Sequence, residues 1–308
     1  MGIIKKRYIN VILGRYDKDV AIPYFSYKNF DGLHYLESSF NNSNNIELKY
    51  FIYNYDSFIK DKVIVFCHGI GPGHTAYLNE INELCKAGYK VITFDYKGCG
   101  ASKGESLGSM NEPTRDLIDL LNHLNIKEEI ILIGHSLGGY TSLNGINLRK
   151  NIHKAVIMSG FVSLYNELKF LLKLPCIAKS LCKYEKSVEP DYYGIDNLTY
   201  LKDTKDEILF IHSVDDGLVG YKSSTKLVQN LNNPNLSFLI VNNRKHNPNY
   251  TDEAVKYMND TFATYQKLIG NKILDTDEKR IEFFKDKSIF KMTEQDKSVI
   301  NTILEFIK

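Results

Sequence analysis

An α/β architecture, with a mostly parallel sheet covered by helices on both faces, is what this sequence predicts. Three observations carry that expectation. Six short apolar segments, Lys62–Cys67, Lys90–Phe94, Glu128–Ile133, Lys154–Met158, Glu207–His212 and Leu236–Val241, lack polar alternation, as strands buried on both faces do. Segments of helical period lie between them, the rhythm of parallel strands joined by crossover helices. The third strand runs directly into Gly134-His135-Ser136-Leu137-Gly138 and then a helical stretch, a sharp strand-to-helix turn.

The elements follow in order. Gly32–Ser39 and Ile46–Tyr55 read as strands separated by the polar turn Asn41–Asn45. After strand Lys62–Cys67 a helix is expected over Thr75–Lys86, then strand Lys90–Phe94. Pro113 suits the first turn of a helix over Pro113–Leu124, because its missing N–H is not needed there. Leu137–Leu148 is the helix after the sharp turn, and Ser223–Leu231 a later one. A helix is expected near Asp252–Leu268 and a last one from about Glu294, capped by Thr293, with Val299, Ile300, Ile303, Leu304 and Ile307 on one face.

Residues 161–200 interrupt the rhythm and are longer than an ordinary connection. Leu164, Leu168, Leu171 and Leu172 keep helical spacing there, beside Lys169 and Lys173. The expectation is a core formed by 1–160 and 201–308, with an N-terminal extension over 1–45, C-terminal helices over 252–308, and 161–200 inserted as a lid. Its leucines, in particular Leu168, Leu171 and Leu172, are the candidate substrate-binding side chains.

Composition bounds the function. The 308 residues carry a net charge of only +2, which gives no reason to invoke nucleic acid. The five cysteines, Cys67, Cys85, Cys99, Cys176 and Cys182, are odd in number and show no Cys-x-x-Cys or zinc-type spacing. Free thiols in a reducing cytoplasm are the expectation. Met1–Asp17 has no apolar core or cleavage site of a signal peptide, and Lys6 breaks a myristoylation pattern. No apolar run reaches bilayer-spanning length. No metal or cofactor is expected: the histidines are scattered, without a metal-ligand spacing.

Gly-x-Ser-x-Gly in this setting points to acyl chemistry at Ser136. A serine hydroxyl needs an imidazole to take its proton, and the imidazole needs a carboxylate to fix its tautomer. In this arrangement the chain order is serine, acid, histidine. His246, in the polar stretch Asn243–Pro248 after strand Leu236–Val241, is the candidate base, whereas His153 and His212 sit at or inside strands. The acid is expected after strand Glu207–His212, where Asp215 and Asp216 qualify equally by position; the stretch Ser159-Gly160-Phe161 offers no carboxylate. Two N–H donors for an oxyanion are expected at Leu137, which follows the nucleophile, and at Ile70 in the loop His68–His74. A dinucleotide fingerprint in that loop is excluded, since His74 occupies the third glycine position and Pro72 removes a donor.

These four segments, over roughly residues 46–250, resemble the α/β-hydrolase superfamily. His68-Gly69-Ile70-Gly71 through Tyr77, together with Asp95-Tyr96-Lys97-Gly98-Cys99-Gly100-Ala101-Ser102, resembles its branch of monoacylglycerol lipases and serine aminopeptidase-like hydrolases, with Lys97 where that branch carries arginine. The resemblance implies Asp216, three residues before Val219, as the acid, and fits a lid at 161–200. It implies a serine hydrolase, and the leucine-lined insertion points to an apolar acyl group, as in a short- to medium-chain acyl ester, a monoglyceride or a lysophospholipid. An aminopeptidase-like peptidase, with Glu167 or Glu185 holding a free amine, shares the motifs; a non-catalytic ligand-binding member is a third reading. The expected partner is a small acyl substrate, with weak membrane-surface contact through the basic, apolar 164–186 stretch.

Overall fold

The computed structural model describes residues 2–15 and 21–308. Eight strands form one sheet in the order β1-β2-β4-β3-β5-β6-β7-β8. They are β1 (Tyr35–Asn41), β2 (Glu47–Tyr53), β3 (Lys62–Cys67), β4 (Lys90–Phe94), β5 (Glu129–His135), β6 (Lys154–Met158), β7 (Glu207–Ser213) and β8 (Leu236–Val241). β1 and β2 pair antiparallel, and β2 joins β4 antiparallel; every pairing from β4 to β8 is parallel. The apolar segments are therefore the parallel strands; β3 to β7 are buried on both faces, while the edge strand β8 buries only Leu236.

The helices are α1 (Gly2–Arg7), α2 (Leu78–Lys86), α3 (Glu112–Leu124), α4 (Leu137–Leu148), α5 (Leu164–Leu172), α6 (Pro175–Val188), α7 (Asn197–Asp203), α8 (Thr225–Gln229), α9 (Asp252–Gly270), α10 (Asp277–Lys285), α11 (Ile289–Met292) and α12 (Lys297–Ile307). One core cluster packs α3, α4 and the 161–200 insertion against one sheet face; α2 and α12 cover the other. A single 3-10 turn over His74–Tyr77 precedes α2 where a continuous helix was expected. The last helix starts later than expected: Asp296, whose side chain accepts from Ser298 N–H, caps α12, while Thr293 ends α11.

Within the insertion, α5 and α6 form a hairpin whose inner side, Leu164, Leu168, Ala178, Leu181 and Cys182, joins the main core. Polar contacts tie α6 down further. Buried Glu185 accepts from Tyr8 Oη (2.5 Å), Met110 N (3.0 Å) and Asn111 Nδ2 (3.0 Å), and also from Ser109 Oγ. Arg115 on α3 bridges Glu189, just past α6, and Glu112 (2.6 Å), and Lys97 reaches the same Glu112 at 2.5 Å.

Candidate active site

Ser136, Asp216, His246 and the Ile70 loop follow the carboxyl ends of the parallel strands β5, β7, β8 and β3, where open α/β sheets bind ligands. Ser136 follows β5 with φ 57° and ψ −121°, a conformation rare for a side-chain-bearing residue. Its N–H donates to the Met158 carbonyl at the end of β6 (2.9 Å), which pins the turn. The flanking glycines are sterically required. A Cβ on Gly134 would meet the Gly138 backbone, and one on Gly138 would strike the Cys67 and His68 carbonyls. Leu137 opens α4, so its N–H has no partner within the helix and lies beside Ser136.

The loop after β7 supplies the acid. Asp216, with its side chain fully buried, faces His246 Nδ1 across 2.9 Å through Oδ2. Its Oδ1 accepts from Leu218 N (2.8 Å) and Val219 N (2.9 Å). His212 approaches Oδ2 at 3.4 Å. Burial raises the Asp216 pKa, but the hydrogen bonds from His212, His246 and the Val219 amide outweigh it and hold the group well below the usual carboxylate range. Asp215 points elsewhere: it pairs with Lys245 Nζ at 3.1 Å and accepts from the Lys245 amide at 3.2 Å.

His246 is positioned from two sides. His135 Nε2 lies 2.7 Å from the His246 carbonyl, which can only accept, so the His135 proton sits on Nε2. His135 Nδ1 then accepts from Tyr77 Oη (3.0 Å), and that oxygen accepts from Gly69 N–H (3.1 Å). The histidine before Ser136 thus links the His246 loop to the β3 loop. Burial, with His246 nearby, pushes the His135 pKa down to about 3, so it stays neutral. Behind His246, Arg244 pairs with Asp296 (2.7 Å) and Asp252, and Asp296 N–H donates to the Asn249 carbonyl (2.8 Å). The C-terminal helices therefore anchor the loop that carries His246.

The β3 loop is ordered by a second buried histidine. His68 Nε2 accepts from Tyr96 N–H (3.2 Å), leaving Nδ1–H to donate to the Gly69 carbonyl (2.6 Å). That carbonyl belongs to the same planar peptide as Ile70 N–H, so fixing one orients the other on the opposite side. Burial lowers His68 to about 4, which keeps the donor neutral. A Cβ on Gly69 would lie 3.3 Å from Ser136 Cβ, so this loop runs against the serine. Asp95 does not serve a nucleotide: it accepts from His74 N (2.8 Å), His74 Nδ1 (2.9 Å) and Ala101 N (2.8 Å).

The insertion packs beside the acid. A Cβ on Gly220 would meet the Phe170 ring at 2.8 Å, so α5 lies over the loop carrying Asp216. Glu167 on α5 is 5% exposed, its Oε2 has no hydrogen-bond partner, and burial together with the Asp216 charge pushes its pKa up to about 8. Of the three leucines expected to touch substrate, Leu168 is 2% exposed within the core, Leu172 is half-buried and Leu171 is 41% exposed. Glu185 is consumed by the network holding α6. No group of three metal-ligating side chains occurs among the described residues.

The family profile described as "Serine aminopeptidase, S33" matches residues 59–194. A 2-hydroxy-6-oxononadienedioate/2-hydroxy-6-oxononatrienedioate hydrolase of Escherichia coli is 37% identical over 106 residues, 32% of this chain and 36% of that protein. A probable esterase of Oryza sativa subsp. indica is 27% identical over 153 residues, 47% of this chain and 53% of the other. The chain thus spans about a third to a half of the length of these curated relatives. Among solved structures, an esterase of Pyrococcus furiosus superposes with a TM-score of 0.58 at 21% identity, covering 88% of this chain and 97% of that one. Mouse alpha/beta hydrolase domain-containing protein 10 superposes at 0.54 with 18% identity, covering 77% and 99%. The chain shares its fold with these solved α/β hydrolases, and residues 59–194 are similar to that family of serine hydrolases. The matched segment holds the β3 loop, the serine turn and the insertion as far as residue 194.

Proposed function

We propose that the protein is a serine hydrolase that cleaves a carboxylic ester through an acyl-Ser136 intermediate. The Asp216–His246 hydrogen bond carries this reading: it sits on a loop clamped to the residue preceding a serine held at positive φ. With its Nδ1 proton directed at Asp216, His246 leaves Nε2 free to accept a proton. Ser136 Oγ attacks the carbonyl carbon as His246 Nε2 takes its proton, and the N–H groups of Leu137 and Ile70 receive the oxyanion. Collapse of the tetrahedral adduct breaks the ester C–O bond, and the imidazolium protonates the departing alcohol. Water, deprotonated by the same nitrogen, then releases the acid. The leucine-rich α5 favours a short- to medium-chain acyl group, as in a monoglyceride or lysophospholipid.

A fluorophosphonate probe tests this directly, because it reacts only with an activated serine. The wild type is expected to label at Ser136, while Ser136→Ala and His246→Gln stay unlabelled though folded. Labelling retained in Ser136→Ala refutes the assignment. A peptidase reading gains from buried Glu167, whose unpartnered oxygen beside the Asp216 loop suits a substrate ammonium group. Hydrolysis of an aminoacyl naphthylamide in preference to p-nitrophenyl butyrate distinguishes it.

A further inference from the structure

Within the insertion, the α5–α6 segment 161–188 sorts its charges by sign, and the exposed Asp191 and Asp196 lie beyond it. Its acids, Glu167 and Glu185, are buried, and so is Glu189 immediately after it. Its lysines, Lys169, Lys173, Lys179, Lys183 and Lys186, are all exposed. On the 14-residue helix α6 the exposed positions Cys176, Lys179, Lys183 and Lys186 recur every three or four residues, so the lysines form one stripe opposite the buried Ala178, Leu181, Cys182 and Glu185.

A second basic element docks beside that stripe. Tyr8, just after α1, hydrogen-bonds Glu185 and meets the Tyr184 ring edge-on at 6.2 Å, and Lys5 Nζ lies 4.5 Å from the Tyr184 ring centre. Residues 2–13 contain no acid, and Lys5, Lys6 and Arg7 are exposed. Eight exposed cations thus belong to two segments whose own acids are hidden, in a chain whose net charge is +2. None of the eight forms an ion pair among the described residues.

Large aliphatic side chains stand out of the same segments. Ile3 on α1 is 85% exposed, and Leu174, at the tip of the α5–α6 hairpin beside Lys173, is 50% exposed. Cations interleaved with protruding aliphatics, on helices lying along the surface, are the chemistry of an anionic bilayer face. A nucleic-acid surface would favour arginine forks and aromatic stacking, yet seven of the eight cations are lysine.

We propose that α1, α6 and the hairpin tip form a docking surface for an anionic lipid bilayer. The lysine stripe lies along the headgroups while Ile3 and Leu174 enter the acyl boundary. The surface lies on the insertion whose other helix covers the Asp216 loop, so docking brings bilayer-borne acyl esters to the site. Docking itself needs no catalysis and stands whether or not Ser136 is the nucleophile.

The test is co-sedimentation of the Ser136→Ala and wild-type full chains with phosphatidylcholine vesicles, with and without a third of phosphatidylserine, at low and high salt. Both proteins are expected to bind the anionic vesicles at low salt and to release at high salt. Each cation at an anionic surface changes partitioning about fivefold, so Lys179→Glu/Lys183→Glu/Lys186→Glu should lower binding by about a hundredfold or more. Circular dichroism and hydrolysis of a soluble p-nitrophenyl ester should be unchanged in that variant. Ile3→Ser/Leu174→Ser should weaken vesicle binding while leaving retention on an anionic resin intact. Absence of binding to anionic vesicles at low salt overturns the proposal. Equal binding of soluble polyphosphate and vesicles, insensitive to Ile3→Ser/Leu174→Ser, also overturns it and identifies a general polyanion site.

Discussion

Replacing Asp216 by asparagine should abolish most turnover through a forced tautomer rather than through lost folding. The geometry dictates which way the amide must sit. Oδ1 of Asp216 accepts two backbone N–H groups, from Leu218 (2.8 Å) and Val219 (2.9 Å), and an NH2 group cannot accept either. The asparagine oxygen is therefore held at the Oδ1 position, and its NH2 faces His246 Nδ1. That nitrogen must then be the acceptor, which moves the imidazole proton to Nε2, where it can no longer take a proton from Ser136. In a serine triad of another fold this tautomer switch costs about ten-thousandfold in turnover, so a thousand- to ten-thousandfold loss in kcat is expected here, ~4–5.5 kcal/mol of barrier. Asp215→Asn, which disturbs only the contacts with Lys245 and Ser213, should change kcat by about threefold or less, as expected of a partly exposed pair. Initial rates on p-nitrophenyl butyrate near neutral pH, with unfolding curves as a control, decide the matter. Equal losses in the two variants, or a larger one in Asp215→Asn, would refute the tautomer reasoning.

Two further perturbations follow from the same surroundings. Glu167 carries its proton in the folded state up to about pH 8, whereas in the unfolded chain it ionises near its ordinary 4.5; the unfolded state therefore binds fewer protons in that window, and stability falls as pH rises through it, at about 1.4 kcal/mol per pH unit, with an upper bound of roughly 5 kcal/mol. Glu167→Gln removes that slope, so in urea titrations its stability relative to wild type should improve progressively up to about pH 8 and level off above; parallel curves would show that Glu167 does not hold a proton there. Tyr77→Phe deletes the oxygen that accepts from Gly69 N–H and the proton that His135 receives, leaving buried partners unmade at a cost of about 1–3 kcal/mol in stability. Because those partners lie in the β3 loop and behind His246, kcat should fall by about tenfold with KM little changed; an unchanged kcat would uncouple this network from catalysis.

The parts of the fold legible in the sequence are those where burial alone dictates the pattern. Predicted and observed bounds coincide for Lys62–Cys67, Lys90–Phe94, Lys154–Met158, Leu236–Val241 and Leu137–Leu148. Three of these are strands buried on both faces, the fourth, Leu236–Val241, is an apolar edge strand, and the fifth is a helix enclosed almost all round between sheet and insertion. Errors occur where a local choice depends on a distant partner. Thr293 resembles an N-cap, but its carbonyl and hydroxyl both reach Asn79 Nδ2 on α2, and Asp296 takes over as cap. α10 was missed because of its residues only Phe284 is buried, which leaves almost no apolar stripe to read.

The site divides in the same way. The serine turn is a local motif, but position alone leaves Asp215 and Asp216 equal; the family resemblance implies Asp216, which is the aspartate that faces His246. The supports of that pair were not legible, because each depends on residues remote in sequence. His68 reads as the first residue of a loop, yet its ring fixes the Gly69–Ile70 peptide only because Tyr96, 28 residues away, occupies its other nitrogen. His135 reads as the variable residue of Gly-x-Ser-x-Gly, yet it reaches across 111 residues to the His246 carbonyl. The stretch after His246 carries no local motif that marks its support. In the structure Arg244 spends its charge on Asp252 and Asp296, and Asn249 is held by Glu80 and Gln295, so the extra helices act as a brace for the His246 loop. Under the proposed mechanism, the 252–308 extension, which shows no catalytic motif, bears on catalysis through its contacts with the loop that carries His246.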